Sequence, residues 1–374
     1  MRVLSLKITI ALCLLLGCLA GCELSDYTSN RVPSVGGNAE IMVVMDSTKW
    51  TTETGITLRK ILEEPIEGLP QQEPRFDLLY MHPKNFSGFI RKHRNIIFVT
   101  SFEDQSTAGR KMQEFYSKKS IEQIKVDPNL YMYTRENQYA KDQKMMFLYG
   151  ATDKRLIDNL IKHKTKIYSF FHDVEIKRIE KTLRMDDSSK VLAKKFRKKF
   201  DIGLKVPAGY VKVKENSNFL WIGEKSPRSY QNIFMAAKPY TSESDFSVDS
   251  IVAWRRSLGR RYVNNPKRDS AFMDIQVELP IAARLMPVKD YFIVEYRGLW
   301  AWADKSKGGP FLGYAFVDER RDKIYYIEGY TYAPSEEKRD IINKIEAILR
   351  SFLPTPAQDK PKKSVTTEAK EKSS

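Results

Sequence analysis

From residue 40 to residue 183, strand-length apolar runs alternate with amphipathic helical segments. That alternation restricts the chain to a layered α/β or α+β design. Segments 40–46 (EIMVVMD), 76–81 (FDLLYM), 95–102 (NIIFVTSF), 130–133 and 144–149 read as strands. Segments 54–64, 85–92 and 106–125 read as the helices between them, the first stopping before Pro65. A long helical stretch, 153–183, follows the last strand, with Leu156, Leu160, Ile167, Phe171 and Val174 spaced for one face.

The second half changes texture. Strands are expected at 210–214, 219–223, 232–236, 273–279, 291–297, 312–317 and 323–332, with turns at Gly308-Gly309-Pro310 and at 318–322. An amphipathic helix over 248–263 places Ile251, Trp254, Leu258 and Tyr262 on one face, with Arg255, Arg256 and Arg260 mostly off it. A closing helix over 335–352 takes Ser335 as its N-cap, Glu336 and Glu337 at its positive end, and a stripe of Ile341, Ile345, Ile348, Leu349 and Phe352. This half is expected to be mainly an antiparallel sheet packed with amphipathic helices. Asp186-Asp187-Ser188-Ser189 is a turn and helix-cap signal, and a lysine-rich helix over 190–199 follows it. The boundary between two layered domains, 40–186 and 187–353, is set there. The Pro/Lys/Ser/Thr-rich stretch 354–374 has the composition of a disordered tail.

The amino terminus has a different logic. Arg2 and Lys7 precede an apolar run, 8–16, that is too short to span a bilayer but has the shape of a signal-peptide core. Leu19-Ala20-Gly21-Cys22 follows: a branched residue, two small residues and a cysteine, the pattern read by the lipoprotein signal peptidase. Residues 1–21 are therefore expected to be a lipoprotein signal peptide and Cys22 the lipid acceptor. An alternative register ends at Cys18, but Leu16 is bulky for its place. All three cysteines, Cys13, Cys18 and Cys22, lie in this region, so the body after residue 22 has no thiol chemistry and no disulfide. Removing the leader with Arg2 and Lys7 takes the formal charge from +16 to +14. The polar stretch 22–39 reads as a flexible tether.

Beside the lipobox and the EIMVVMD strand, one long segment is distinctive: YFIVEYRGLWAWADKSKGGPFLGYAFVDERRDKIYYIEGYTYAP, with Gly298–Trp302 and the Gly309 neighbourhood at its centre. On these residues the mature chain resembles an uncharacterised lipoprotein family of Bacteroidetes-type bacteria, a domain of unknown function. The resemblance implies a double-membraned bacterium and carries no catalytic residues with it.

No nucleophile elbow, His-Glu-x-x-His zinc motif or glycine-rich phosphate loop is present. His82, His93, His163 and His172 do not pair at metal-helix spacing, and no metal or cofactor is expected. If the first three strands run parallel, Asp46, His82, Ser101 and Asp104 fall at strand carboxyl ends, where open α/β sheets bind ligands. Polar turn residues occur there in any case. Trp300 and Trp302 share a strand face, and so do Tyr326, Glu328 and Tyr330. With Arg297 as a partner for Glu328, these six residues make a candidate ligand platform of exposed rings and one carboxylate. A sheet packed on helices yields the same pattern. The basic helix and the cluster Arg255, Arg256, Arg260, Arg261, Lys267 and Arg268 read first as a solvated face; as a binding face they suit acidic envelope polymers or anionic lipid, and export argues against nucleic acid.

The sequence thus leads to a membrane-anchored envelope lipoprotein, placed at the outer membrane on its periplasmic face or at the cell surface. Its role is expected to be non-enzymatic binding or scaffolding, with an envelope glycan, anionic lipid or envelope protein as partner. A hydrolase acting on an envelope glycan or peptide, and an assembly factor or chaperone, are the alternatives.

Overall fold

The computed structural model describes residues 31–354 apart from 266, 277–278 and 289–290. The segment expected to be a signal peptide, Cys22 and the expected tail beyond 354 lie outside the described residues. The chain divides into two compact units, Met1–Lys181 with Glu337–Asn343, and Thr182–Glu336 with Lys344–Ser374. The layered α/β to α+β architecture is the one the alternation calls for.

The first unit is built on β1 (Glu40–Val44), β2 (Asp77–Met81), β3 (Asn95–Ser101), β4 (Met132–Glu136) and β5 (Lys144–Gly150). They lie in the order β2-β1-β3-β5-β4, all parallel except β4, which runs antiparallel to β5. The unbroken apolar run of β1 is explained by cover on both faces. Ile41, Val43 and Met45 pack with Ile97, Val99, Leu148 and the helices that carry Leu58, Leu156 and Phe171. Met42 and Val44 pack oppositely, with Phe98, Phe147, Met112 and Ile124. The helices of the first face are α1 (Ser47–Thr51), α2 (Glu53–Leu62), α5 (Asp153–Lys162) and α6 (Lys164–Thr182); those of the second are α3 (Thr107–Gln113) and α4 (Lys118–Val126).

Three expectations are corrected here. The single helix expected over 106–125 is two, because Ser117 caps a new start by accepting from Ser120 N at 3.1 Å. The helix expected over 85–92 is a pair of 3₁₀ turns, Pro83–Asn85 and Gly88–Lys92, separated by Phe86 and Ser87, the second opening on Gly88 at φ 55°. The tether is shorter than 22–39: Pro33 and Val35 bridge to Lys141 and His93, and Arg94 N donates to Val35 O at 2.8 Å.

The second unit opens with α7 (Asp187–Phe200), where Asp186 and Ser189 form a capping box and Leu192, Phe196 and Phe200 are buried. The strands are β6 (Ile202–Gly203), β7 (Val211–Asn216), β8 (Phe219–Lys225), β9 (Tyr230–Pro239), β10 (Asn264–Asn265), β11 (Arg268–Ile275), β12 (Ala282–Val288), β13 (Tyr291–Trp302), β14 (Gly308–Asp318), β15 (Lys323–Tyr332) and β16 (Leu353–Pro354). Nine of them form one antiparallel sheet, β10-β11-β13-β14-β15-β9-β8-β7, with β12 beside β13. The helix α8 (Val248–Tyr262) covers one face through Ile251 and Leu258 against Phe234, Tyr296, Trp300 and Tyr326.

Gly308-Gly309-Pro310 is not a turn. It is strand, paired opposite Leu299–Ala301 in β13, and a Cβ on Gly309 would lie 2.1 Å from Thr331 O. The glycine there permits close backbone approach, and the reversal falls at 303–307. Gly313 has a related reason: a Cβ would meet the Tyr326 hydroxyl at 2.5 Å. The closing helix, α9 (Arg339–Arg350), begins later than Ser335. Its start is capped from afar, because the Glu73 carboxylate accepts from Lys338 N at 2.8 Å and from Arg339 N at 2.7 Å.

Candidate functional site

In the first unit the chain leaves β1 to one side for β2 and returns on the other side as β3, so the carboxyl ends of β1 and β3 flank the crevice where such sheets place ligands. The sequence placed Asp46, His82, Ser101 and Asp104 at this edge. The structure joins Ser101 and Asp104 there, and the residue that joins them is one the sequence reading missed, Lys49. Its Nζ donates to Ser101 Oγ at 3.1 Å, pairs with Asp153 and lies 3.7 Å from Asp104 Oδ2. Lys49 is buried because α1 begins directly after β1 and turns its side chain back over the strand ends. Asp153, at the start of α5, receives a further tie when its N–H donates to Glu103 Oε1 at 2.6 Å.

Asp46 and His82 have local duties instead. Asp46 caps α1 by accepting from Thr48 N at 2.8 Å, and His82 Nδ1 accepts from Lys84 N at 3.2 Å. No relay from Asp through His to Ser exists among the described residues. Ser101 is completely buried and accepts the lysine's hydrogen bond. The arrangement is an ion clasp across the strand ends.

The aromatic set of the second unit is corrected more sharply. Trp300, Tyr326, Tyr330, Glu328 and Arg297 are all buried, and only Trp302 is half-exposed. Trp300 is 2% exposed and donates its indole N–H to Thr331 O at 3.1 Å. The shared face inferred for these strands is real, but it is the face that α8 covers. Glu328 pairs with Arg255, not Arg297. Arg255 Nε and Nη2 grip its two oxygens at 2.6 and 2.7 Å, the Tyr326 hydroxyl donates to it at 2.7 Å, and both charged side chains are 0% exposed. Burial alone would lower the Arg255 pKa; Glu328 outweighs it and raises it. Burial and the same carboxylate push Tyr326 well above the ordinary phenol range.

Arg297 lies on the opposite face of the sheet, held by Glu295 at 2.8 Å and Glu346 at 2.7 Å. The cationic cluster around α8 is dispersed as well. Arg255 is interior and Arg256 is tied to Asp274, while Arg260 and Arg261 lie over Phe272 and Tyr262. On α7, Lys195 and Lys199 share Glu215.

Concavities among the described residues of the first unit include two of similar size. One, of about 470 Å³, runs between α2, α5 and α6, with Ile56, Ile161 and Tyr168 in its walls. The other, of about 430 Å³, lies between α4, β4 and β5 and is walled by Phe115, Tyr116, Leu130, Tyr133, Arg135 and Tyr149. Its tyrosines carry a signal that was available in the sequence, since Tyr133 and Arg135 are two apart on a strand and so share a face. The Tyr116 and Tyr133 hydroxyls are buried without a protein hydrogen-bond partner. Burial raises the pKa of both, Tyr133 to about 12, with Arg135 opposing the rise. Among the described residues no group of three or more His, Cys, Asp or Glu is placed to hold a metal ion.

The matches are to two families of unknown function. Residues 34–184 match Domain of unknown function (DUF8532), and residues 189–351 match Domain of unknown function (DUF4837). The resemblance read from the sequence as one family spanning the mature chain is thus split between two. No curated protein matches. Among solved structures, a mutant of the protein Mog1 is similar at 10% identity over 42% of this chain and 92% of its own, with a TM-score of 0.27. The Saccharomyces cerevisiae Ran-binding protein Mog1p is similar at 10% identity over 41% and 89%, also with a TM-score of 0.27.

Proposed function

We propose that the protein is a lipid-anchored envelope lipoprotein of a Bacteroidetes-type bacterium, and that its folded body binds a ligand rather than turning one over. The compartment rests on Leu19-Ala20-Gly21-Cys22 behind a short apolar run. Among the described residues no helix is long and apolar enough to cross a membrane, so the attachment proposed is the acyl group on Cys22.

One observation carries the binding role. The crevice at the ends of β1 and β3 is filled from within by Lys49 and its carboxylates, while a ring-walled concavity with unpaired donors stands open at β4. Envelope glycans, anionic lipids and envelope proteins are the partners available at that location.

Two experiments test the reading. Cells expressing the protein should incorporate radiolabelled palmitate into it, and Cys22→Ser should abolish labelling and leave the uncleaved precursor. Labelling that survives in Cys22→Ser refutes Cys22 as the anchor. The purified full chain, incubated with peptidoglycan and glycan fragments from the envelope, should retain fragments without cleaving them. Release of shortened products would replace binding by hydrolysis.

A further inference from the structure

The concavity under α4 differs from the three polar features described at the strand ends in what it lacks. The clasp at Lys49, the Asp46 cap and the His82 turn all have their hydrogen bonds made. Here two phenol hydroxyls, on Tyr116 and Tyr133, are buried with nothing in the protein to donate to. Buried polar groups are nearly always partnered, so two together in the wall of one concavity mark a place where the partner comes from outside.

The chemistry of that partner follows from the walls. Arg135 is exposed at the rim, with its guanidinium carbon 5.4 Å from the Tyr133 ring centre and 5.5 Å from that of Phe147, and it makes no ion pair with any described residue. No carboxylate stands among the residues lining the concavity. Burial holds both phenols protonated throughout the physiological range, so each has an O–H to offer to an acceptor. One guanidinium and two phenols, with no acid to compensate them, select an anion. The planar fork of arginine matches a carboxylate in both spacing and shape. Phe115, Ile124 and Leu130 form the apolar part of the lining, Ser117, Ser120 and Gln123 add neutral polar groups, and about 430 Å³ lies within the ordinary range for a small-molecule site.

We propose that this concavity is the ligand site of the first unit and takes a small organic carboxylate built on a ring. The carboxylate lies between Arg135 and the hydroxyls of Tyr116 and Tyr133, and the ring lies against Phe115, Ile124 and Leu130. The proposal deepens the binding reading above and rests on it.

The test is titration of the full-length protein in detergent with benzoate, 4-hydroxyphenylacetate and glucuronate, followed by calorimetry and by tyrosine fluorescence. Benzamide serves as the neutral isostere and inorganic phosphate as the ringless anion. At least one ring carboxylate should bind, and benzamide and phosphate should bind about tenfold more weakly or not at all. Arg135→Ala, an exposed change, should weaken the carboxylate by about tenfold or more. Tyr116→Phe and Tyr133→Phe should each weaken it severalfold while leaving the melting temperature unchanged or higher, because each removes a hydroxyl that has no partner in the free protein.

The proposal is overturned if no ring carboxylate binds up to about 10 mM, or if binding is indifferent to Arg135→Ala and to both phenylalanine variants. It is also overturned if phosphate binds as well as the best carboxylate, since the site would then read charge alone. Should the protein still retain envelope fragments in any of these cases, the binding reading stands and only this site is lost. Loss of both takes down the binding reading as well.

Discussion

The carboxyl edge of the first unit's sheet and the interior of the second unit's sheet each hold a cation gripped by carboxylate, and they differ in water. At the edge, Lys49 is nearly buried, but the Asp153 side chain it pairs with is 43% exposed. In the interior, Arg255 and Glu328 are both 0% exposed, and every further contact is protein: Tyr326, the Asp274 carbonyl and Met273 sulfur. A charge left alone at the edge can be rehydrated; one left alone in the interior cannot. The edge clasp therefore fastens strand ends at modest risk. The interior pair fixes which face of β15 meets α8, because only one register places Glu328 under Arg255.

The largest effect should come from breaking the interior pair. Glu328→Ala leaves a buried guanidinium unpaired and should cost roughly 3–5 kcal/mol, seen as a fall in melting temperature of about 2–4 °C per kcal/mol. A loss under about 1 kcal/mol would mean that water reaches Arg255 and that the contrast with the edge is false. Tyr326→Phe takes one donor from Glu328 and should cost about 1.5–3 kcal/mol in chemical denaturation. Paired with Glu328→Ala in a double-mutant cycle, its effect should be non-additive. Lys49→Met should cost less than Glu328→Ala, about 1–3 kcal/mol, since Asp153 can turn to solvent. Equal costs for the two would erase the distinction drawn here. Trp302→Ala should be the mildest, about 1 kcal/mol, because its ring is half-exposed at the margin of the same interior. A drop in melting temperature matching that of Trp300→Ala would move the boundary of the interior outward past residue 302.

How much of this the sequence revealed depended on range. Periodicity reports which face of an element is apolar, and it found the alternating strands and helices of the first unit, the antiparallel second half and both amphipathic helices, while the parallel order of the first strands entered only as a condition. It says nothing of partners. Arg255 sits beside the Trp254 stripe and was assigned to the solvent side; the residue that draws it inward, Glu328, lies 73 positions away. Glu73 caps a helix that begins more than 260 positions later, so Ser335, the nearest residue of the right type, was chosen instead. The platform of Trp300, Tyr326 and Tyr330 failed for a related reason: a strand face rich in rings looks the same whether solvent or a helix covers it. At the strand ends the sequence named the right edge but missed Lys49, because a lysine in a short helix carries no mark of burial.

The bridges of Pro33 and Val35 set a leash length. They fasten the chain beside Lys141 and His93, just ahead of β5 and β3, which is the amino-terminal edge of the first sheet. Eleven residue steps separate Cys22 from Pro33, and a fully extended chain covers at most about 3.3–3.6 Å per step. With the acyl group on Cys22 as proposed, that edge can stand no farther than about 40 Å from the bilayer surface. The strand ends that carry the Lys49 clasp lie at the opposite edge of the same sheet and so point away from the point of attachment. Under the proposed attachment the leash is therefore tied to the amino-terminal edge of the sheet, and the clasp stands at the end of the sheet farthest from that tie.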